Sequence, residues 1–166
     1  STISNVIAPS NGSTFTPSSI VQFDLGSNHF LVPDSLSLRY TYKVTTVAGS
    51  HMIGLPATAC FNRFETIMGS QVVESIQNYN QVSTMIANLS MSVSEKYGQQ
   101  VSLGYKSLGD STSVTLNELD GAVLTTNEEG SFSTTLPCML SYSEKMIPLF
   151  AIPSVRIQLT LDSLSA

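Results

Sequence analysis

Two stretches of strict two-residue alternation constrain the fold of this chain more than any other feature. Residues 36–44 read LSLRYTYKV, and residues 155–162 read VRIQLTLD. In both stretches every second side chain is apolar, and the side chains between them are polar. Because successive side chains of a β-strand point to opposite faces, each stretch predicts a strand with one face in a core and the other in water.

Shorter candidate strands lie around these two stretches and are separated by turn-forming residues. The candidates are Ile20–Leu25, Ala57–Met68, Gln71–Ile76, Ser111–Leu116 and Phe132–Leu140. Gly, Pro, Asn and Asp occupy the breaks, and Met68-Gly69-Ser70-Gln71 is typical of a tight hairpin. About eight strands with this punctuation favour an antiparallel sandwich or barrel.

One segment departs from the strand pattern and predicts a short helix. From Gln77 to Leu89 the apolar side chains of Val82, Met85, Ile86 and Leu89 recur at helical spacing. We expect this helix in a loop that crosses between two sheets, where its apolar face would cover an open end of a sandwich. The irregular tract that follows, residues 90–109, is interpreted as a long, partly ordered connection, whose first part could extend the helix to about Tyr97.

Composition indicates one globular domain over residues 1–166. The chain is 42% hydrophobic and only 11% charged, against about 25% charged residues in an average soluble protein. Ser and Thr supply about a quarter of the residues, so the surface is rich in hydroxyls rather than charges. The net charge is -5 and the seven basic residues are scattered, which argues against direct nucleic-acid binding.

We expect a soluble protein from the same sequence. No run of apolar residues reaches the roughly 18 that a membrane span needs. The opening stretch STISNVIAPS also lacks the charged and apolar regions of a signal peptide.

Candidate metal ligands are few and poorly spaced. His29 and His51 are the only histidines, and neither has a Cys, an Asp or a second His at ligand spacing, so we interpret both as loop residues. The loop 120–130 is acidic but lacks the alternating ligand register of a calcium loop, which favours a solvated turn. We therefore assign no metal-ligating residue.

Candidate catalytic groups are equally isolated. Glu65 and Glu74 flank the hairpin turn and could form a carboxylate pair for glycoside chemistry, but we favour a position on the wet face of two paired strands. No G-x-S-x-G elbow and no phosphate-binding glycine loop occurs. Cys60 and Cys138 lie in strand-like runs and are interpreted as buried free thiols rather than a disulfide. We assign no catalytic and no cofactor-binding residue and do not expect an enzyme.

Taken in order, several segments resemble the major capsid proteins of tailless icosahedral double-stranded DNA viruses, the double jelly-roll lineage that includes adenovirus hexon and polinton-like viruses. The resemblance is one of pattern and spans about Ile7 to Leu164. It covers one jelly roll, whereas the family has two in tandem. The segments that carry it are Ile7–Ser10, Phe15–Pro17, Ile20–Phe23, Phe30–Leu38, Phe64–Ile76, Asn78–Asn80, Leu136–Pro137 and Lys145–Ile152.

The resemblance implies an eight-stranded antiparallel jelly-roll sandwich with one short helix in a crossing loop. It also implies a structural viral capsid protein that self-assembles into an icosahedral coat and resides in the virion, assembled in the host cell. Its partners would be copies of itself, as a trimer or pentamer, and other capsid proteins. We expect contact surface in residues 1–15, 90–105 and 148–153, where apolar residues fall outside strand alternation.

Two other functional classes stay open. The first is a receptor- or glycan-binding β-sandwich, such as a fibre head or an adhesin domain, which should cluster exposed aromatic residues at loop tips. The second is a cupin-like enzyme on the same fold, which the missing metal-ligand histidines disfavour.

Overall fold

The structure, a computed structural model, is built mainly from antiparallel β-strands. It describes residues 3–43, 45, 50–52, 57–92, 94–95, 123–125, 127 and 129–163. Ten strands and one α-helix lie in these ranges, with short 3-10 helices at Ala57–Cys60 and Leu149–Ala151. The strands are β1 (Ile20–Leu25), β2 (Phe30–Leu31), β3 (Ser37–Lys43), β4 (Ser50–Met52), β5 (Phe61–Met68), β6 (Gln71–Gln77), β7 (Val123–Thr125), β8 (Glu129–Thr135), β9 (Ile147–Pro148) and β10 (Val155–Leu161); helix α1 spans Tyr79–Ser90.

The chain separates into two compact units. The first unit comprises Ser1–Ser35, Cys60–Asn80 and Cys138–Ala166, and the second comprises Leu36–Ala59 and Gln81–Pro137. Each unit is held by pairing between strands that are distant in sequence. The prediction of a single domain over residues 1–166 stays a prediction.

The first unit contains a four-stranded antiparallel sheet in the order β1-β10-β5-β6. Its buried face carries Val21 from β1, Phe64 from β5, and Val155, Ile157 and Leu159 from β10. The predicted alternation of the last strand is thus confirmed, since the intervening side chains of β10 are only half-buried. A separate two-residue ladder pairs β2 with β9, Phe30 opposite Pro148 and Leu31 opposite Ile147.

The hairpin between β5 and β6 confirms the turn predicted from the sequence. Gly69 has φ +63°, a left-handed conformation that glycine adopts without the steric cost of a Cβ atom. Its N–H donates to the Ser154 carbonyl at 2.8 Å, which ties the turn to the start of β10. The register shifts between Thr66 and Ile67, so that β6 bulges at Val73.

The second unit pairs β3 with β8, and β4 with β7. The alternation predicted for residues 36–44 is confirmed over β3, where Leu38 is buried while Ser37, Arg39, Thr41 and Lys43 are exposed. On the buried face Tyr40 packs against Phe132 of β8, with ring centroids 5.7 Å apart. Lys43 and Glu129 form an exposed ion pair at the end of this ladder, 3.2 Å between Nζ and Oε1.

Helix α1 was predicted from its apolar spacing, but only part of the predicted stripe is covered, since Val82 and Ile86 are half-buried. Tyr79 and Ser83 are its buried residues, one helical turn apart, while Met85 and Leu89 of the predicted stripe are exposed. The helix ends at Ser90 and does not continue through Met91 and Ser92 toward Tyr97. That it covers an end of a sandwich stays a prediction.

Other sequence-based boundaries also moved. The described residues hold ten strands rather than about eight, because the Pro33-Asp34 turn separates β2 from β3 and because β4, β7 and β9 are only two or three residues long. The strand predicted over Phe132–Leu140 ends at Thr135. The strand predicted over Ser111–Leu116 lies outside the described residues.

Candidate functional site

An exposed apolar surface on the first unit is the most distinctive candidate for a functional site. It is built on two antiparallel segments, residues 30–34 and 141–150, which the β2–β9 ladder joins at one end. At the other end the Asp34 N–H donates to the Ser141 carbonyl at 3.3 Å. The Leu149 N–H donates to the His29 carbonyl at 3.1 Å, so backbone hydrogen bonds secure both segments.

Four large side chains on these two segments project into solvent. Phe30, Tyr142, Met146 and Phe150 are each between 57% and 62% exposed. The rings of Phe30 and Phe150 meet edge to face with centroids 5.1 Å apart, an arrangement that aromatic pairs prefer. We refer to these four side chains as the ribbon surface. None of them is charged, so a partner could cover them without desolvating an ion.

A partly buried polar cluster supports the turn that leads into the ribbon surface. Glu74 lies on β6 opposite Thr66, whose side chain is fully buried. The Glu74 carboxylate accepts the Met139 N–H at 2.9 and 3.2 Å and the Thr66 hydroxyl at 3.1 Å. Glu74 thereby holds the turn at residues 138–142 against the four-stranded sheet.

The prediction that Glu65 and Glu74 share the wet face of two strands is wrong for Glu74. Thr66 and Glu74 face the core side of the sheet, whereas Glu65 lies opposite Ser75 on the other side. There Glu65 pairs with Arg63 and accepts the Ser75 hydroxyl at 3.2 Å. Because the two carboxylates lie on opposite faces of the sheet, they do not form a pair for glycoside chemistry.

Two ionisable groups beside this cluster are held in their neutral forms. Tyr79 stacks on Phe64 with centroids 5.1 Å apart, and burial, reinforced by the nearby Cys138 and Glu74, raises its pKa far above the usual value. Burial also raises the pKa of the Cys138 thiol, whose Sγ lies 3.4 Å from the Ser141 hydroxyl. A protonated, buried thiol is a poor nucleophile, so this cluster has the character of a structural anchor.

The cysteine prediction is confirmed in part. Cys60 and Cys138 are both free thiols, and Cys138 is buried while Cys60 is half-buried. They do not lie in strands, however, because Cys60 ends a 3-10 helix and Cys138 begins a turn.

The sequence analysis also considered His29, His51 and the acidic loop 120–130 as metal ligands. Among the residues that the structure describes, no three His, Cys, Asp or Glu side chains come together as a metal site requires. Within the same ranges, no helix has the length and apolar character needed to cross a bilayer. Of the acidic loop 120–130, residues 120–122, 126 and 128 lie outside the described residues.

A second apolar feature, which the sequence indicated only coarsely, is the segment 3–9. It has no regular secondary structure, and its apolar side chains Ile3, Val6 and Ile7 are exposed, Val6 to 98%. Contact surface was predicted in residues 1–15, 90–105 and 148–153. The first and last of these segments carry exposed apolar side chains, but that they make contacts stays a prediction, and the tract 90–105 lies mostly outside the described residues. Sequence reasoning missed Tyr142 and Met146, since a single apolar residue in a polar turn gives no periodic signal.

Comparison with known proteins adds no relative. The chain matches no protein-family model and has no significant match among curated proteins.

Proposed function

We propose that this chain is a jelly-roll shell subunit of a viral capsid, which assembles with copies of itself, as a trimer or pentamer, and with other capsid proteins. Its place would be the virion, after assembly in the host cell. The proposal rests on the resemblance described above together with two structural features, the order of strand pairing and the ribbon surface.

The strand pairing supports the jelly-roll part of the proposal. The pairs β1–β10, β2–β9, β3–β8, β4–β7 and β5–β6 are fully nested, so the chain runs out through five strands and returns through the other five in reverse order. In addition, β10 pairs with β5 as well as with β1. A long hairpin that folds back so that its last strand lies between two strands of its outgoing half is the topology of a jelly roll.

The ribbon surface is the observation that carries the assembly part. Aromatic side chains and methionine are enriched in protein interfaces, where their burial supplies most of the binding energy. Completing the burial of a large side chain that is already two-fifths covered contributes roughly 1 kcal/mol, so four such residues form a useful core for an interface. The low charge of the whole chain is consistent with contacts made by apolar and hydroxyl-bearing residues.

A solution-mass experiment tests the proposal. We expect the purified protein to form closed oligomers or shells by analytical ultracentrifugation and electron microscopy. The double variant Phe30→Ser/Phe150→Ser should shift the protein to monomers while its circular dichroism spectrum stays that of the folded wild type; its melting temperature should fall, because association stabilises the folded state. A matched control is Val72→Ser/Val73→Ser, which removes exposed apolar side chains from β6 of the same unit and should leave the oligomers intact. A wild-type protein that stays monomeric at its highest soluble concentration would contradict the proposal.

A glycan- or receptor-binding β-sandwich is the second candidate, and one observation favours it. Phe30, Tyr142 and Phe150 are exposed aromatic side chains beside turns, where a lectin would place a stacking platform. Under this alternative the wild-type protein would be monomeric and would bind an oligosaccharide on a glycan array. Phe30→Ser/Phe150→Ser would then abolish glycan binding without changing the mass.

A further inference from the structure

We propose that residues 3–9 of one copy pack on the ribbon surface of a second copy, so that each subunit contributes an apolar arm and an apolar acceptor. This inference rests on the proposed function, because it names the partner of the ribbon surface. We refer to residues 3–9 as the arm.

The root of the arm is fixed to the edge of the four-stranded sheet. The Ser10 N–H donates to the Gln22 carbonyl at 2.7 Å, and the Gln22 N–H donates to the Asn11 Oδ1 at 2.9 Å. The Asn11 Nδ2 donates to the Ile20 carbonyl at 2.7 Å. The side-chain amide of Asn11 thus forms the hydrogen bonds that a neighbouring strand would form with β1. These bonds fix the end of the arm that adjoins Ser10.

Beyond this root the apolar side chains of the arm are only partly covered by the described part of the chain, with Ile7 40% exposed, Ile3 72% and Val6 98%. None of the side chains of residues 3–9 is charged, so burial of the arm carries no cost of desolvating a charged side chain. Seven residues in extended conformation reach about 23 Å, enough to cross from one subunit to the next.

The area of the ribbon surface indicates why a second element is needed. With 150–250 Å² for a fully exposed aromatic side chain, its four residues offer roughly 500 Å² to a partner. A specific interface buries about 800 Å² on each partner, and at least about 1,000 Å² in total. The arm adds the exposed parts of Ile3, Val6 and Ile7, and its backbone and neighbouring side chains supply the rest of the contact area.

Both edges of the four-stranded sheet are poor alternatives for the arm. The Ser10–Asn11 segment already occupies the outer edge of β1, and β6 is bulged at Val73, which is a common way to protect a sheet edge from strand addition. The ribbon surface is therefore the better acceptor. Because arm and acceptor are different surfaces, the contact is heterologous, and its repetition closes a ring when the rotation permits.

Cysteine cross-linking between two single variants tests this inference. In a Cys60→Ser background, Val6→Cys protein is mixed with Phe150→Cys protein under mild oxidation, so that a disulfide between these two positions joins different chains. We expect a cross-linked dimer from this mixture. The matched control mixes Val6→Cys with Val72→Cys, which places the second thiol on β6, and should give little product.

The outcomes separate this inference from the proposed function. Ile3→Ser/Val6→Ser should weaken association by roughly tenfold or more while its circular dichroism spectrum stays that of the folded wild type. If the wild-type protein assembles but Val6→Cys cross-links no better to Phe150→Cys than to Val72→Cys, the arm contact is wrong and the proposed function stands. If the wild-type protein never assembles, both are wrong.

Discussion

At the scale of single residues, the most informative side chain is Glu74, a carboxylate on the core side of a sheet. Its two oxygens accept the Met139 N–H, and one of them also accepts the hydroxyl of the buried Thr66. Removing this acceptor leaves the hydroxyl of the buried Thr66 without its partner, and an unsatisfied buried group costs more than the hydrogen bond itself contributes.

We therefore expect Glu74→Ala to lower the free energy of unfolding by about 1–3 kcal/mol, measured by urea denaturation. Glu129→Ala is the control, since it removes a carboxylate from an exposed ion pair and should cost about 1 kcal/mol or less. Glu74→Gln, which keeps an acceptor, should lie between wild type and Glu74→Ala. An equal loss of unfolding free energy in Glu74→Ala and Glu129→Ala would show that the hydrogen bonds of Glu74 do not stabilise the fold more than an exposed ion pair does.

Tyr79 gives the protein a dependence on alkaline pH. Its pKa is raised in the folded state by burial, so the unfolded chain releases the phenol proton from about pH 10 while the folded chain retains it. The unfolded state then binds fewer protons, and stability falls as pH rises. Cys138, whose pKa is also raised by burial, acts in the same direction from a somewhat lower pH.

We expect the free energy of unfolding to decline above about pH 10 by up to roughly 1.4 kcal/mol per pH unit for Tyr79 alone. Tyr79→Phe should show a shallower decline over the same range, whatever its stability at pH 7. Tyr42→Phe removes the phenol hydroxyl of a half-buried tyrosine on β3 and is measured alongside as the matched substitution. Parallel pH profiles for wild type and Tyr79→Phe would contradict this account.

At the scale of elements, the β5–β6 hairpin depends on one backbone conformation. Gly69 has φ +63°, and a Cβ atom added there would meet Pro153 only at ordinary contact distance, 3.9 Å. The cost of a side chain at this position is therefore backbone strain and not a clash.

Gly69→Ala should lower the free energy of unfolding by about 1–2 kcal/mol, and Gly69→Asn by less, because Asn tolerates the left-handed region. Gly26→Ala is a matched control, since a Cβ atom there meets nothing within 4 Å and the backbone is not left-handed. We expect that control to change stability by no more than about 0.5 kcal/mol. A neutral Gly69→Ala would mean that the turn relaxes without cost.

At the scale of the whole molecule, the low charge and the exposed apolar surface predict how self-association of the protein should respond to temperature and to salt. The chain has a net charge of -5 and 11% charged residues, so ion pairs are a minor part of any contact between copies. Apolar contacts weaken on cooling and strengthen in sulfate, whereas contacts between exposed charges weaken as salt screens them.

We expect oligomers of the wild-type protein to grow with added ammonium sulfate, to loosen on cooling toward 0 °C, and to change little between low and moderate sodium chloride. Sedimentation velocity at constant protein concentration measures all three responses. Dissociation by moderate sodium chloride would instead indicate contacts made through charged residues, and the ribbon surface would then not be the main interface.

The sequence by itself determined the local structure of this protein. Two-residue alternation predicted β3 and β10, and helical spacing predicted the core of α1 to within two residues at its start, although the extension toward Tyr97 does not occur through Met91 and Ser92. The tight turn at Gly69-Ser70 was also predicted, from the turn preferences of its own residues. Strand, helix and tight turn are decided by neighbouring residues, whose side-chain directions and backbone preferences are set over a few positions.

Only the tertiary structure decided which strands pair and what each face meets. The nested pairs join residues up to 140 positions apart, such as Ile20 and Thr160, and no local pattern specifies such a partner. The sequence suggested that the charged Glu74 lies on the wet face of the hairpin. In the structure its carboxylate lies on the core side, because it accepts the N–H of Met139, which is far along the chain. Exposure of Phe30 and Phe150 likewise depends on what distant segments leave uncovered, which is a property of the fold and not of the neighbouring sequence.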